Sequence, residues 1–188
     1  MRSSKSSGVD GIVYAGLFLM LLFFFNAVLG GTKPPAAAAQ VPAPTATTKP
    51  SDANAFRAPY DSYVVTQGLH GYSYGHAAID LTGGKGSTIH SPINGIVMNL
   101  FVDGLGNTTL ILENERYQVT LMHGLYTVAI GDWVALGDPV GIESNQGYTV
   151  DFQGRLCTGR DCGYHTHLNV FDFSKGENVN PLDLFEAK

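Results

Sequence analysis

Basic residues are in short supply: 11 Lys and Arg stand against 16 Asp and Glu, for a formal net charge of −5. That balance gives a nucleic-acid partner no electrostatic support. Cysteine is nearly missing, with only Cys157 and Cys162. Two thiols are too few for a closed structural zinc site, which takes four Cys or His ligands at known spacings. Beyond residue 31 no segment carries a convincing helical period, which argues against a helical bundle. Charged residues make up only 14% of the chain while glycine occurs 23 times, and this suits a β-rich, turn-rich domain.

What the chain does have begins at residues 11–31, "GIVYAGLFLMLLFFFNAVLGG", which carry no charge. About 20 apolar residues span a bilayer core as a helix. Arg2 and Lys5 precede the stretch, so the positive-inside tendency keeps residues 1–10 in the cytoplasm and exports the chain beyond residue 31. The stretch is longer than the apolar region of an ordinary signal peptide, which favours an uncleaved single-pass anchor. The rival is secretion after cleavage near Val28 and Gly30. Residues 32–55 are rich in Pro, Ala and Thr, cannot build a core, and read as a disordered linker. The folded part is then residues 56–188, a normal size for one domain.

Within that domain short β-branched runs recur between Gly, Asn and Asp turns. "SYVVTQG" reads as a strand ending at Gly68, and "AAIDLTG" alternates Ile79 and Leu81 against Ala78 and Asp80. "STIHSPINGIVMNLFV" holds two strands broken at Pro92–Gly95, and "GNTTLILEN" with "RYQVTLMHG" forms a hairpin. "GDWVALGDPVGIES", "YTVDF" and "HTHLNVF" supply further strands. The expectation is an all-β domain, a small barrel or sandwich.

Two histidines, His165 and His167, are separated by one residue in the last of these strands. Residues i and i+2 share a strand face, with Cα atoms roughly 6.5–7 Å apart. One ring can then touch a metal ion while the other sits beside it. His76 and Asp80, four apart in "HAAID", would lie roughly 13 Å apart on a straight strand. A bend near Gly75–Ala77 is needed to bring them together. His123 ends an apolar strand beside a glycine, where a polar strand cap is the ordinary reading. Imidazoles and a carboxylate are normal zinc ligands, and three of them leave a position open for catalysis.

Taken together and in order, "HAAID", "INGIV", "LMHGL", "VAIGDWVALGDPVG", "HTHLNV" and the closing "NVNPLDLF" resemble the lysostaphin-type zinc metallo-endopeptidases. The resemblance covers about residues 60–185. It implies an antiparallel barrel-sandwich hybrid with an open groove. It implies zinc held by His76, Asp80 and His167, and a catalytic pair, His123 and His165. The implied activity is hydrolysis of cross-link or stem peptides of peptidoglycan, with no nucleic-acid partner.

The chain departs from the family pattern in places. Thr166 stands between the paired histidines, where Leu or Val is usual, and Asn169 stands where Glu or Gln is common. A longer segment, "NQGYTVDFQGRLCTGRDCGY", precedes the His-Thr-His strand and should line the groove. Its two cysteines, in an exported protein, are expected to form a disulfide, Cys157–Cys162, that pins a rim loop. Tyr72 and Tyr74 are candidates for the groove wall, His90 reads as structural, and His70 has no matched role. One rival reading is a non-catalytic relative that binds the wall or activates another hydrolase, although all five site positions are filled. The other is a lipoyl or biotinyl carrier, which needs a lysine at a hairpin tip; "ENERYQVTL" has none.

Overall fold

The computed structural model describes residues 52–185. The β-branched runs become strands β1 (Val64–His70), β2 (Ala78–Thr82), β3 (Thr88–His90), β4 (Gly95–Val102), β5 (Thr108–Glu113) and β6 (Tyr117–Met122). They are followed by β7 (Leu125–Tyr126), β8 (Trp133–Val134), β9 (Pro139–Ile142), β10 (Thr166–Asp172) and β11 (Glu177–Val179), and the one α-helix among the described residues, α1 (Pro181–Phe185). The larger sheet runs β1-β2-β10-β6-β5-β4-β8, and a smaller one runs β3-β9-β7. Strand β2 pairs with Thr166–Asn169 of β10, and β11 continues along β10 from Val170 to Asp172. Every pairing is antiparallel. The all-β expectation therefore holds for the described residues, apart from the single turn of α1.

Register decides which chemistry faces which way, because side chains alternate along each strand. Leu168 pairs with Ile79 on one side and Leu121 on the other, and Leu121 pairs with Leu110. All four are fully buried and form the core with Leu81, Val119, Leu112 and Val170. Ile89 and Val140 of the smaller sheet join the same core. The residues one step out of phase point to the other face. There His167 stands opposite Asp80 and Met122, and Asn169 opposite Thr120. One apolar face thus holds the sheet down, and one polar face carries the site.

Several elements differ from the sequence reading. Strand β1 does not stop at Gly68; after a register shift it pairs again at His70, opposite Ala78. "YTVDF" is not a strand, and only an isolated bridge joins Val150 to Leu156. The cause is Asp151, whose Oδ1 accepts the backbone N–H groups of Gln153 and Arg155 and whose Oδ2 binds Arg155 and Arg160. An aspartate that engages its own local backbone in this way favours a turn over a ladder. Strands β7 and β11 and helix α1 are too short to show a period. Residues 52–55, read as the end of the linker, make a turn closed by Ala55 N–H on the Asp52 carbonyl at 3.1 Å. Among the described residues no helix is long and apolar enough to cross a membrane, and the stretch 11–31 lies outside them.

Candidate metal centre

The polar face of β2 and β10 sets the centre. His167 and Asp80 are cross-strand partners, and His167 Nδ1–H donates to Asp80 Oδ1 at 2.9 Å. That bond spends the proton of a neutral ring, so Nε2 carries a lone pair. His167 Nε2 is buried with no hydrogen-bond partner. An imidazole tied to a carboxylate through one nitrogen, with an unpaired acceptor on the other, is what a metal ion would complete. The donor set fits zinc, which takes imidazole nitrogen and carboxylate oxygen.

His76 reaches the centre through a tight loop. A 3₁₀ turn at Tyr72–Tyr74 is flanked by Gly71 (φ 90°) and Gly75 (φ 78°), a left-handed conformation that glycine adopts without penalty. His76 N–H donates back to the Gly71 carbonyl at 3.0 Å. The His76 ring centre then lies 5.6 Å from that of His167. Of Gly75–Ala77, where the sequence reading put a bend, Gly75 has the left-handed backbone, and the tight turn itself lies at residues 71–75, before His76. Tyr72, on this turn, is 69% exposed. The Tyr74 side chain lies outside the described set.

His165 lies one residue before β10, and its Nε2 is 3.7 Å from Asp80 Oδ2. His123 follows β6 and takes φ 71°, the left-handed region, which is uncommon for a residue with a side chain. Two backbone bonds hold it there: His123 N–H to the Thr108 carbonyl at 2.9 Å, and Gln146 N–H to the His123 carbonyl at 3.2 Å. The His123 and His165 ring centres are 4.7 Å apart. The structure therefore gathers His76, Asp80, His123, His165 and His167 on one patch, from three separate stretches of chain. His90 is elsewhere, on β3, with Nδ1 donating to the Gly137 carbonyl at 2.9 Å.

A sixth group, which sequence reasoning left without a role, joins them. His70 Nε2 is 3.7 Å from Asp80 Oδ1, and its ring centre is 5.0 Å from that of His167. Donor atoms of His70, Asp80 and His167 all lie within 4.8 Å of one another. The missing signal was the register shift in β1, which carries that strand two residues past Gly68.

His70, His123 and His165 share one device. Each Nδ1 meets a backbone carbonyl at 2.8 Å: Gly68, Gln146 and Gly163 respectively. A carbonyl only accepts, so each Nδ1 is protonated and each neutral ring presents a lone pair at Nε2. Burial, followed by the neighbouring His165, pushes the His123 pKa down to about 4. His76 is lowered too, first by burial and then by His167 and His70. At Asp80 burial acts to raise the carboxyl, but the His167 hydrogen bond and the adjacent His165, His167 and His70 outweigh it and hold it low.

The segment before β10 serves this pair. Cys157 and Cys162 form the disulfide. Gly163 follows directly, at φ 71°, and a Cβ there would come within 2.9 Å of Cys157 Sγ. The segment thus supplies the acceptors for His123 and His165, at Gln146 and Gly163, and the disulfide packs against one of them. Beside the centre, on the same sheet face, lies a groove of about 390 Å³. Its lining includes His76, Gln118, Thr120, Asn169 and Asn178, with Phe101 at one side.

Among solved structures the chain is similar to lysostaphin in solution, at 19% identity and a TM-score of 0.53, covering 72% of this chain and 55% of that one. It is similar to a zinc-containing peptidase from Vibrio cholerae at 20% identity and 0.52, covering 71% and 40%. It is also similar to Csd3 from Helicobacter pylori at 16% identity and 0.53, covering 71% and 35%. The chain spans only 35% to 55% of the length of these three structures. The fold is that of the lysostaphin-type M23 peptidases. No protein-family model matches the chain, and no curated protein matches it.

Proposed function

We propose that the chain is a zinc-dependent endopeptidase that hydrolyses peptide bonds of peptidoglycan cross-links or stem peptides. One observation carries this reading. His123 and His165, each with its Nε2 lone pair fixed by a backbone carbonyl, stand side by side against the Asp80–His167 pair. His76, Asp80 and His167 would hold the ion. When bound, zinc would act as a Lewis acid and would lower the pKa of a water molecule at the site.

The remaining chemistry belongs to the chain. His165 Nε2 is placed to accept the proton of the attacking water and to return it to the leaving amine nitrogen. Asp80 Oδ2, 3.7 Å away, favours the imidazolium that forms in between. His123, held neutral by burial and presenting its own Nε2 lone pair beside His165, is a second acceptor placed to orient the attacking water through one of its O–H groups. The groove beside the centre has amide and hydroxyl groups on its floor, which suit the backbone of an extended peptide.

The same reading places the domain outside the cytoplasm, tethered by residues 11–31 and the linker. The disulfide supports export, since such bonds persist in oxidising compartments. Digesting purified peptidoglycan with the zinc-loaded full-length protein, then identifying new amino termini by mass spectrometry, tests the activity. Stoichiometric zinc with no bond cut would favour a non-catalytic wall-binding role instead. External protease on protoplasts or spheroplasts tests the topology: a protected domain with alkylated Cys157 and Cys162 would refute export.

A further inference from the structure

The geometry points to His70 as a fourth protein donor at this metal centre, one that caps the coordination position a catalytic zinc otherwise keeps open. The inference rests on the zinc reading above and goes beyond its three ligands.

Three electron-pair donors converge where His70 lies. Its Nδ1–H is spent on the Gly68 carbonyl, so the Nε2 lone pair faces Asp80 Oδ1 at 3.7 Å. The buried Nε2 of His167 has no partner. The His70 lone pair set against that carboxylate is repelled by it, and a cation between them turns the repulsion into binding. His70, Asp80 and His167 are also the one group of at least three His, Cys, Asp or Glu among the described residues whose donor atoms all lie within 4.8 Å. His76, at 5.6 Å between ring centres from His167, borders that group. One zinc can therefore draw on four protein donors here.

Zinc with four protein ligands is a closed, structural type of site, whereas catalysis needs one position free. His70 must then be able to leave, and its surroundings allow it. Strand β1 lies at the sheet edge, and Val64–Leu69 are exposed. Its pairing with β2 is irregular between Gln67 and His70. Gly68, two residues before His70, has open space where a Cβ would stand, and Gly71, directly after His70, takes φ 90°. The ring can swing away without disturbing the core, while His76, Asp80 and His167 stay on the inner strands and their loop. His70 would thus hold the centre in a capped resting state, and a peptide entering the groove would have to displace it.

The test tracks the ring nitrogens of the full-length protein by ¹⁵N NMR as zinc is added. Movement of His70 Nε2 together with the ring nitrogens of His76 and His167 is the expected result. Two further measurements use His70→Ala. Its zinc affinity, measured against a competing chelator, should fall about tenfold or more. Acetohydroxamate, a small metal-binding probe, should bind the zinc-loaded variant about tenfold more tightly than the parent, because the capped state no longer competes. Zinc uptake that leaves His70 Nε2 unmoved overturns the proposal and leaves the three-residue set standing. Movement at His70 with none at His76 overturns it as well, since His70 would then be the third ligand. Failure to take up any zinc overturns the three-residue set itself. If His70→Ala does not fold, the ring-nitrogen measurement on the parent protein decides alone.

Discussion

The metal-free protein should lose stability as pH falls from neutrality, and His123 should account for most of a definable share. Burial and the neighbouring His165 hold its pKa at about 4, against an ordinary 6.5. Below 6.5 the unfolded chain therefore takes up a proton at this position, while the folded chain stays neutral until about 4. The unfolded state binds more protons across that window, so stability falls as pH falls through it. At about 1.4 kcal/mol per pKa unit, the full window is worth about 3 kcal/mol. That is a large part of the 5–15 kcal/mol typical of a domain. His76 is lowered for the same main reason and adds to the slope in the same direction. The informative quantity is therefore the difference from a variant. His123→Asn removes the titrating ring but keeps a residue that tolerates the left-handed backbone at φ 71°. Urea unfolding of both chelator-treated proteins, at intervals from neutrality down to about pH 4, should give curves of stability against pH that converge as pH falls. The variant starts lower, having lost a buried ring, but its line is flatter by up to about 1.4 kcal/mol per pH unit. Parallel lines would refute the reasoning, since they would mean that His123 titrates alike in both states.

Asp80→Ala should release zinc and abolish activity together; full zinc occupancy in that variant, by elemental analysis, would remove Asp80 from the centre. His165→Ala should keep zinc and lose about 10²- to 10⁴-fold in turnover, the usual span for a lost proton-transfer group. His167→Ala should lose the metal, and equal metal loss in both variants would end the division of roles. Replacing Cys157 and Cys162 with serine should cost on the order of 2 kcal/mol by chain entropy. It should also lower kcat more than it raises KM, because the bond packs against Gly163, whose carbonyl orients His165; an unchanged kcat would show that the loop holds its shape without it.

Much of this arrangement was legible in the sequence because its strand periods are clean. The alternation of Ile79 and Leu81 against Asp80 places the carboxylate on the polar face, and the two-residue spacing of His165 and His167 puts both rings there. The hairpin of β5 and β6 and the break before Gly95 are explained by turn residues between apolar runs. What escaped depends on long-range register and on local polar competition. His70 enters the centre through a register shift in β1, which no local period reports. Val150–Phe152 looks like a strand by composition, yet Asp151 gathers the local N–H groups into a turn. The acceptors for His123 and His165 are backbone carbonyls, and a carbonyl is common to every residue type, so no motif marks Gln146 or Gly163.

The use of backbone acceptors bears on how the centre is built. The residues proposed to bind metal come mainly from the inner strands β2 and β10, where hydrogen-bonded neighbours on both sides limit their movement. The residues proposed to move protons, His123 and His165, lie just outside strand ends, and a separate loop sets their tautomers. A carbonyl at Nδ1 fixes the ring plane and leaves Nε2 basic, which a side-chain partner able to rotate would secure less well. The arrangement also separates two kinds of failure. Damage to the strands should cost metal, whereas damage to the 145–164 segment should leave metal bound and misdirect the proton acceptor. His70 sits apart from both groups, at the end of an edge strand and directly before Gly71, so the capping role proposed for it would leave both the core sheet and the 145–164 segment undisturbed.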